Sequence, residues 1–301
     1  MSHINMYYHN LDTVIKNLEI FDKYIIVETL KSGKNRYVYK IYDTILKIYK
    51  VLKIIISNNF TNEQKKIYDF FMRCNHKNFS RIFDIYEENI FTIIEIEYIN
   101  GITMSEYFTK LHSSDEYNNI LINTNSALKF IHSNNIIHGD IKPDNIIINN
   151  NNIPIIIDYC LCKYISTKYD NINGTKFFMA PELLTHRKIT PKIDVWALGI
   201  SLYSAILCHY NIDMYEYQHS QQCINMNSIF DKYEQNISIF GHTFISCIDM
   251  MLKDEKERPT PNELEQLLQL NIKVLPIIHI DIDNRLIIKP LRQTKKIIYL
   301  S

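Results

Sequence analysis

The run His138-Gly139-Asp140-Ile141-Lys142-Pro143-Asp144-Asn145 leads directly into the apolar Ile146-Ile147-Ile148, and Asp158-Tyr159-Cys160 begins thirteen residues after Asn145. Proline and several turn-forming polar residues make the first stretch a short loop. The residues from Ile146 to Ile157, interrupted by Asn149 to Asn152, read as two strands joined by a turn. Such a strand pair returns the chain to its starting point, so that Asp158 faces Asn145. Asp140, Lys142, Asn145 and Asp158 then point into one cleft. Any one of these residues alone is an ordinary turn residue. Together, flanked by strand-like runs, they offer a carboxylate, an ammonium and two oxygen donors of the kind a hard divalent cation takes.

A chain of 301 residues with 46% hydrophobic content is long enough to bury a core of ordinary size. Lys plus Arg and Asp plus Glu both total 33, so no net field draws the chain to nucleic acid, and constitutive nucleic-acid binding is not expected. Cys74, Cys160, Cys162, Cys208, Cys223 and Cys247 show no C-x-x-C spacing, which points to free thiols in a reducing compartment. Cys160 and Cys162 with His138 make a poor zinc cluster, because the C-x-C pair has no second pair to converge with. The start, Met1 to Tyr7, has no basic segment followed by an apolar one, so a cytoplasmic location is expected. The longest apolar segment, Trp196 to Cys208, is thirteen residues with Ser201 and Ser204 inside it. That is short of the roughly twenty needed to span a bilayer and reads as a buried helix, so no membrane contact is expected. Glycosylation triplets at Asn173 and Asn236 carry little weight in so Asn-rich a chain.

Between Tyr24 and Tyr49 the pattern is strand (Tyr24 to Leu30), turn (Ser32 to Asn35), then strands at Tyr37 to Ile41 and Ile45 to Tyr49. Thr61 to Cys74 has helical periodicity, and Ile82 to Tyr86 and Phe91 to Tyr98 again read as strands. Beyond Asn100-Gly101 the periodicity becomes helical, most clearly at Leu121 to His132, Trp196 to Cys208, Thr243 to Leu252 and Pro261 to Leu270. The alternation of Ile278, Ile280 and Ile282 with polar residues, followed by Leu286 to Ile288, predicts a short hairpin.

The loop and strand-pair constellation resembles the working centre of eukaryotic-type Ser/Thr protein kinases, and the resemblance extends from about Leu30 to Leu268. It implies an α+β, bilobal fold, with a small β-sheet N-lobe carrying one main helix and a larger, mainly helical C-lobe. The corresponding divisions are an N-terminal extension at 1–23, the N-lobe at 24–99, the C-lobe at 100–271, and a C-terminal extension at 272–301 whose hairpin packs on the C-lobe. The resemblance further implies ATP and Mg as cofactors. Asp140 would orient the acceptor hydroxyl and take its proton, Lys142 would balance charge on the γ-phosphate, and Asn145 and Asp158 would hold magnesium. His138 reads as structural, since Asp140 already supplies the base.

Gly174-Thr175-Lys176-Phe177-Phe178-Met179-Ala180-Pro181-Glu182 resembles the end of a kinase activation segment, which implies protein substrates. A threonine at Thr175, within reach of Asp140 and Lys142, is typical of Ser/Thr kinases. Glu182 and Arg258 match a buried ion pair of the family, and Asp194 matches the aspartate that holds the catalytic-loop backbone. In the N-lobe the likeness thins. Of the glycine-rich loop, Lys31 to Val38, only Gly33 survives, with Leu30 and Val38 beside it as nucleotide contacts. Thr44-Ile45-Leu46-Lys47 stands where V-A-I-K is expected, making Lys47 the candidate phosphate lysine, with Lys50 and Lys53 as rivals. Glu63 is the best match to the helix glutamate that pairs with this lysine, although it sits about one helical turn too far from Asn75-His76-Lys77-Asn78-Phe79. Glu97 to Gly101 resembles the hinge, with Glu97 and Ile99 at the adenine and Ile96 as gatekeeper.

Gly139 replaces the arginine usual before the catalytic aspartate, so activation by phosphorylation at Ser166, Thr167 or Tyr169 is not expected. Cys160 replaces a glycine, which should stiffen the metal-binding loop. His-Gly-Asp-Ile-Lys with Asp-Tyr resembles the casein-kinase-like and vaccinia-related kinases, including poxvirus members; with the AT-rich coding bias this suggests a viral protein of the host cytoplasm. The expectation is a monomeric ATP- and Mg-dependent Ser/Thr protein kinase. The competing reading is a pseudokinase or scaffold that binds partners without turnover, motivated by the depleted glycine loop and Cys160. A small-molecule phosphotransferase would leave Gly174 to Glu182 and Asp194 to Gly199 unexplained.

Overall fold

The computed structural model describes residues 23–33, 36–56, 61–88, 90–165, 174–186, 189–209 and 237–269, together with 279–280 and 286–287. Five antiparallel strands form the first sheet: β1 (Tyr24–Gly33), β2 (Arg36–Asp43), β3 (Ile48–Ile56), β4 (Ile82–Glu88) and β5 (Phe91–Glu97), in the order β1-β2-β3-β5-β4. Strand alternation divides β2 between two faces. Tyr37, Tyr39 and Ile41 are buried with Leu52, Ile54 and Ile93 in one apolar cluster, and Val38 lies on the opposite face, paired directly with Lys53 of β3.

The third strand begins later than its apolar content suggests. Residues 44–47 form a turn between β2 and β3, with Lys47 at φ 57. The Asp43 carboxylate accepts from the amides of Ile45 (3.0 Å) and Leu46 (2.8 Å), so Ile45 and Leu46, exposed at 79% and 59%, belong to the turn. The expected strand Ile45 to Tyr49 is thereby corrected to Ile48–Ile56.

Helix α1 (Asn62–Arg73) follows, opened by a reciprocal capping box between Thr61 and Gln64, and buries Ile67, Tyr68 and Phe71. Past the short strand β6 (Gly101–Thr103) and helix α2 (Met104–Tyr107), α3 (Ser114–Ser133) leads into β7 (Ile136–Ile137). The loop at 138–145 then runs into β8 (Ile146–Asn149), which pairs with β9 (Pro154–Ile156) and with β6. A second small pairing joins β10 (Lys163–Tyr164) to β7. Helices α4 (Pro181–His186), α5 (Lys192–His209), α6 (His242–Met251) and α7 (Pro261–Gln269) complete the larger part. In α5 Ile193 through Leu207 are all buried, so this helix forms the axis of the core. The arrangement is the expected α+β one, a small sheet with one main helix followed by a larger helical lobe.

Of the expected C-terminal hairpin the structure describes an antiparallel pairing of His279–Ile280 with Leu286–Ile287. Residues 1–22 and 34–35, Ser166, Thr167, Tyr169, Asn173, Cys223 and Asn236 lie outside the described residues. No described helix is long and apolar enough to cross a membrane.

Candidate active site

The loop at 138–145 is fixed from behind. Asp194, in the first turn of α5, is 1% exposed and accepts from the backbone amides of His138 (2.8 Å) and Gly139 (2.9 Å) and from His132 Nε2 (2.9 Å). Burial alone would raise its pKa, but these donors, His132 first, hold the carboxyl below its ordinary range. His138 is fully buried, and burial keeps its imidazole below its usual pKa, so it is neutral and packs as a structural residue. Gly139 adopts φ +78, and a Cβ there would lie 2.8 Å from the Leu161 carbonyl oxygen. Only glycine meets both demands without strain.

At the front of this loop the side chains converge. Lys142 Nζ donates to Asp140 Oδ2 at 2.7 Å and to Thr175 Oγ1 at 2.8 Å. The Thr175 hydroxyl also lies 3.2 Å from Asp140 Oδ1. Asn145 Nδ2 donates to Asp140 O (2.8 Å) and Oδ2 (2.9 Å), which commits the amide nitrogen and turns its oxygen the other way. The Ile157 amide bonds Asn145 O at 3.0 Å, placing Asp158 one residue beyond that junction. The β8–β9 pair thus delivers Asp158 beside the loop.

Across the cleft Asp158 meets Lys53: Nζ to Oδ1 is 2.6 Å. Burial pulls the Lys53 ammonium downward, but its neighbours Cys160 and the Asp158 carboxylate outweigh burial and raise the pKa. Burial likewise pushes Asp158 upward, and Lys53 overrides it, leaving the carboxyl well below the carboxylate range. Both groups are therefore charged near neutrality. Arg36, the first residue of β2, brings Nη1 to 3.9 Å from Asp158 Oδ2.

Two expected assignments are corrected. Lys47 sits in the exposed β2–β3 turn, and the lysine that reaches Asp158 is Lys53. Lys50, the other rival, is buried on the opposite face between Asp43 (2.9 Å) and Glu95 (3.0 Å). The physical signal for Lys53 is hairpin register: a turn at 44–47 pairs Lys53 with Val38 and puts both toward the cleft. Glu63 does not reach Lys53. It lies in the first turn of α1 and accepts from the Tyr164 amide at 3.1 Å. Among the α1 residues facing the loop after Asp158 is Tyr68, about 7.5 Å further along the axis, with its hydroxyl 3.2 Å from Cys160 Sγ.

The remaining nucleotide candidates are placed as follows. Leu30 is on β1, 45% exposed, and Gly33 ends that strand opposite Arg36. Glu97 ends β5 and is tied to Arg81 by N–H to O (2.8 Å) and by its carboxylate on the Arg81 amide (3.1 Å). Ile99 is buried just beyond, and Ile96 is half-buried within the strand. Away from the cleft Arg258 and Glu182 form a two-armed pair, Nη1–Oε1 2.6 Å and Nη2–Oε2 3.2 Å, with the guanidinium 4.9 Å from the centre of the Trp196 ring.

A family model for the protein kinase domain matches residues 24–270. Calcium-dependent protein kinase 6 of Plasmodium berghei (strain Anka) is 33% identical over 178 residues, 55% of this chain and 12% of that protein. Probable serine/threonine-protein kinase MARK-C of Dictyostelium discoideum is 27% identical over 237 residues, 73% of this chain and 30% of that protein. Serine/threonine-protein kinase PrkC of Bacillus subtilis (strain 168) is 29% identical over 199 residues, 62% of this chain and 31% of that protein. The chain spans no more than 31% of the length of any of these three.

Proposed function

The chain belongs to the protein kinase family, and from that premise we propose that it transfers the γ-phosphate of ATP, with Mg, to Ser and Thr hydroxyls of protein substrates. The observation that carries the reading is the position of Lys142, bonded at once to Asp140 (2.7 Å) and Thr175 (2.8 Å). A substrate hydroxyl entering beside Thr175 meets the Asp140 carboxylate, which orients it and accepts its proton as the bond to phosphorus forms. Lys142 offsets the charge gathering on the transferred group, and Lys53 binds the phosphates from the sheet above.

The donor set suits magnesium. Asn145 has its amide nitrogen committed to Asp140, which leaves its oxygen for a cation, and Asp158 supplies a carboxylate kept ionised by Lys53. Both are hard oxygen ligands. When bound, the ion neutralises phosphate charge and aligns the nucleotide. Leu30, Val38 and Ile99 are the proposed adenine contacts, with Glu97 at the hinge. A cytosolic monomer, and a poxvirus-like source, belong to the same proposal.

Labelled ATP offered with Mg and generic acidic and basic proteins should place label on phosphoserine and phosphothreonine, and chelation of the metal should abolish it. Label on tyrosine alone, or on small molecules alone, would contradict the reading. Nucleotide binding without transfer would favour a scaffold.

A further inference from the structure

Helix α1 reaches the metal-binding loop by an unusual route. Lys53 is met by Asp158 and Cys160, and among the described residues no carboxylate of α1 joins them. Kinases otherwise couple this lysine to the helix through a Lys–Glu pair. Here Tyr68, 2% exposed, sets its hydroxyl 3.2 Å from Cys160 Sγ. The Cys160 amide donates at 3.0 Å to Asp158 Oδ1, the same oxygen that accepts from Lys53 at 2.6 Å. Three residues along the helix, and so on the same face, Phe71 stacks on Tyr159 with ring centres 3.8 Å apart and planes at 7°. The Tyr159 hydroxyl is anchored in turn, donating to Ser80 O at 2.7 Å.

The two residues following Asp158 are thus each held by α1, Tyr159 by a ring stack and Cys160 by a hydroxyl. We infer that Tyr68 is a positioning residue for phosphoryl transfer: acting through Cys160, it holds the Asp158 loop against Lys53 in place of a helix glutamate. This explains two departures from the family pattern together. A glycine in place of Cys160 would offer Tyr68 no side chain to hold, and a glutamate on the helix is not needed once the loop itself is gripped.

The inference rests on the reading of the cleft as a phosphoryl-transfer site, so its test uses binding, which needs no turnover. Mg–ATP affinity is measured by calorimetry for wild type, Tyr68→Phe, Cys160→Ala and the double variant, with melting midpoints recorded beside it and KM and kcat where transfer occurs. Tyr68→Phe keeps the ring and its packing. Each single variant should weaken Mg–ATP binding and raise KM by about 3- to 10-fold, the range one hydrogen bond spans. The double variant should be no worse than the weaker single one, because both break the same link. Wild-type affinity in Tyr68→Phe would overturn the inference. So would losses that multiply in the double variant, or a loss that vanishes when affinity is expressed per folded molecule. A wild type that binds Mg–ATP but transfers no phosphate would defeat the kinase proposal while leaving these comparisons decisive; one that binds no nucleotide would contradict both.

Discussion

Lys47 and Lys53 lie on one hairpin, and its register decides which of them can meet a phosphate. The apolar Thr44-Ile45-Leu46 looks like strand in sequence, but Asp43 caps these residues into a turn whose last member, Lys47, has positive φ. Turn formation here depends on one side chain folding back on two amides, a local competition that apolar periodicity does not register. The convergence in the loop at 138–145 was legible for the opposite reason: Asp140, Lys142 and Asn145 lie close together in the chain, so bringing them together needs little tertiary information. The consequence can be measured. Lys53→Met should lower kcat/KM for ATP by roughly 10²-fold or more, as loss of a buried charge that positions the nucleotide phosphates does. Lys47→Met should change it by less than about 2-fold, since exposed charges contribute little. The reverse ranking would restore Lys47 to the site.

At the scale of elements, α1 illustrates where sequence reading stops. Its periodicity and capping box are local and predict the helix well, yet which residue faces the cleft depends on how the helix packs against β4 and β10. Glu63 carries the right chemistry in the first turn, while packing presents Tyr68 and Phe71 to the loop. The pair of Glu182 on α4 with Arg258 was legible because each sits in its own short motif. Arg258, 1% exposed, also donates to the Lys192 and Lys253 carbonyls, so it joins α4, the start of α5 and the segment after α6. Removing one partner leaves the other charge buried. Glu182→Gln or Arg258→Ala should therefore destabilise the fold by roughly 3–5 kcal/mol, read as a shift in the denaturant midpoint. A shift worth less than about 1 kcal/mol would mean that the pair behaves as a surface ion pair.

For the whole molecule, buried ionisable groups set how stability follows pH. Burial holds the folded pKa of His138 below the ordinary imidazole value of 6.5, so protons favour the unfolded chain and stability falls as pH drops below that value. Asp194 has a folded pKa below 3.8; its contribution is present above 3.8 and is lost as pH falls toward the lower folded value. The melting midpoint of the metal-free protein should hold steady between about pH 7 and 8 and decline in two stages on the acid side, beginning near 6.5 as His138 must take up a proton and again below about 4.5 as the carboxylates whose folded pKa is lowered, Glu116, Glu263 and Asp194 among them, are protonated. An unbroken plateau down to pH 5 would mean that His138 gains a proton without cost. The strand-rich first part and the helical second part were readable from local periodicity, and the bilobal arrangement came with the family resemblance. The side chains that one lobe offers the other were not, since they depend on packing between distant segments. One carboxylate, Asp140, stands at the acceptor end of the cleft. Phosphate transfer from labelled ATP to protein serine and threonine should be robust in wild type and lost in Asp140→Ala under conditions where the variant is folded and saturated with Mg–ATP. Equal transfer by the two proteins would contradict Asp140 as the group at the acceptor hydroxyl, and with it the assignment of the cleft.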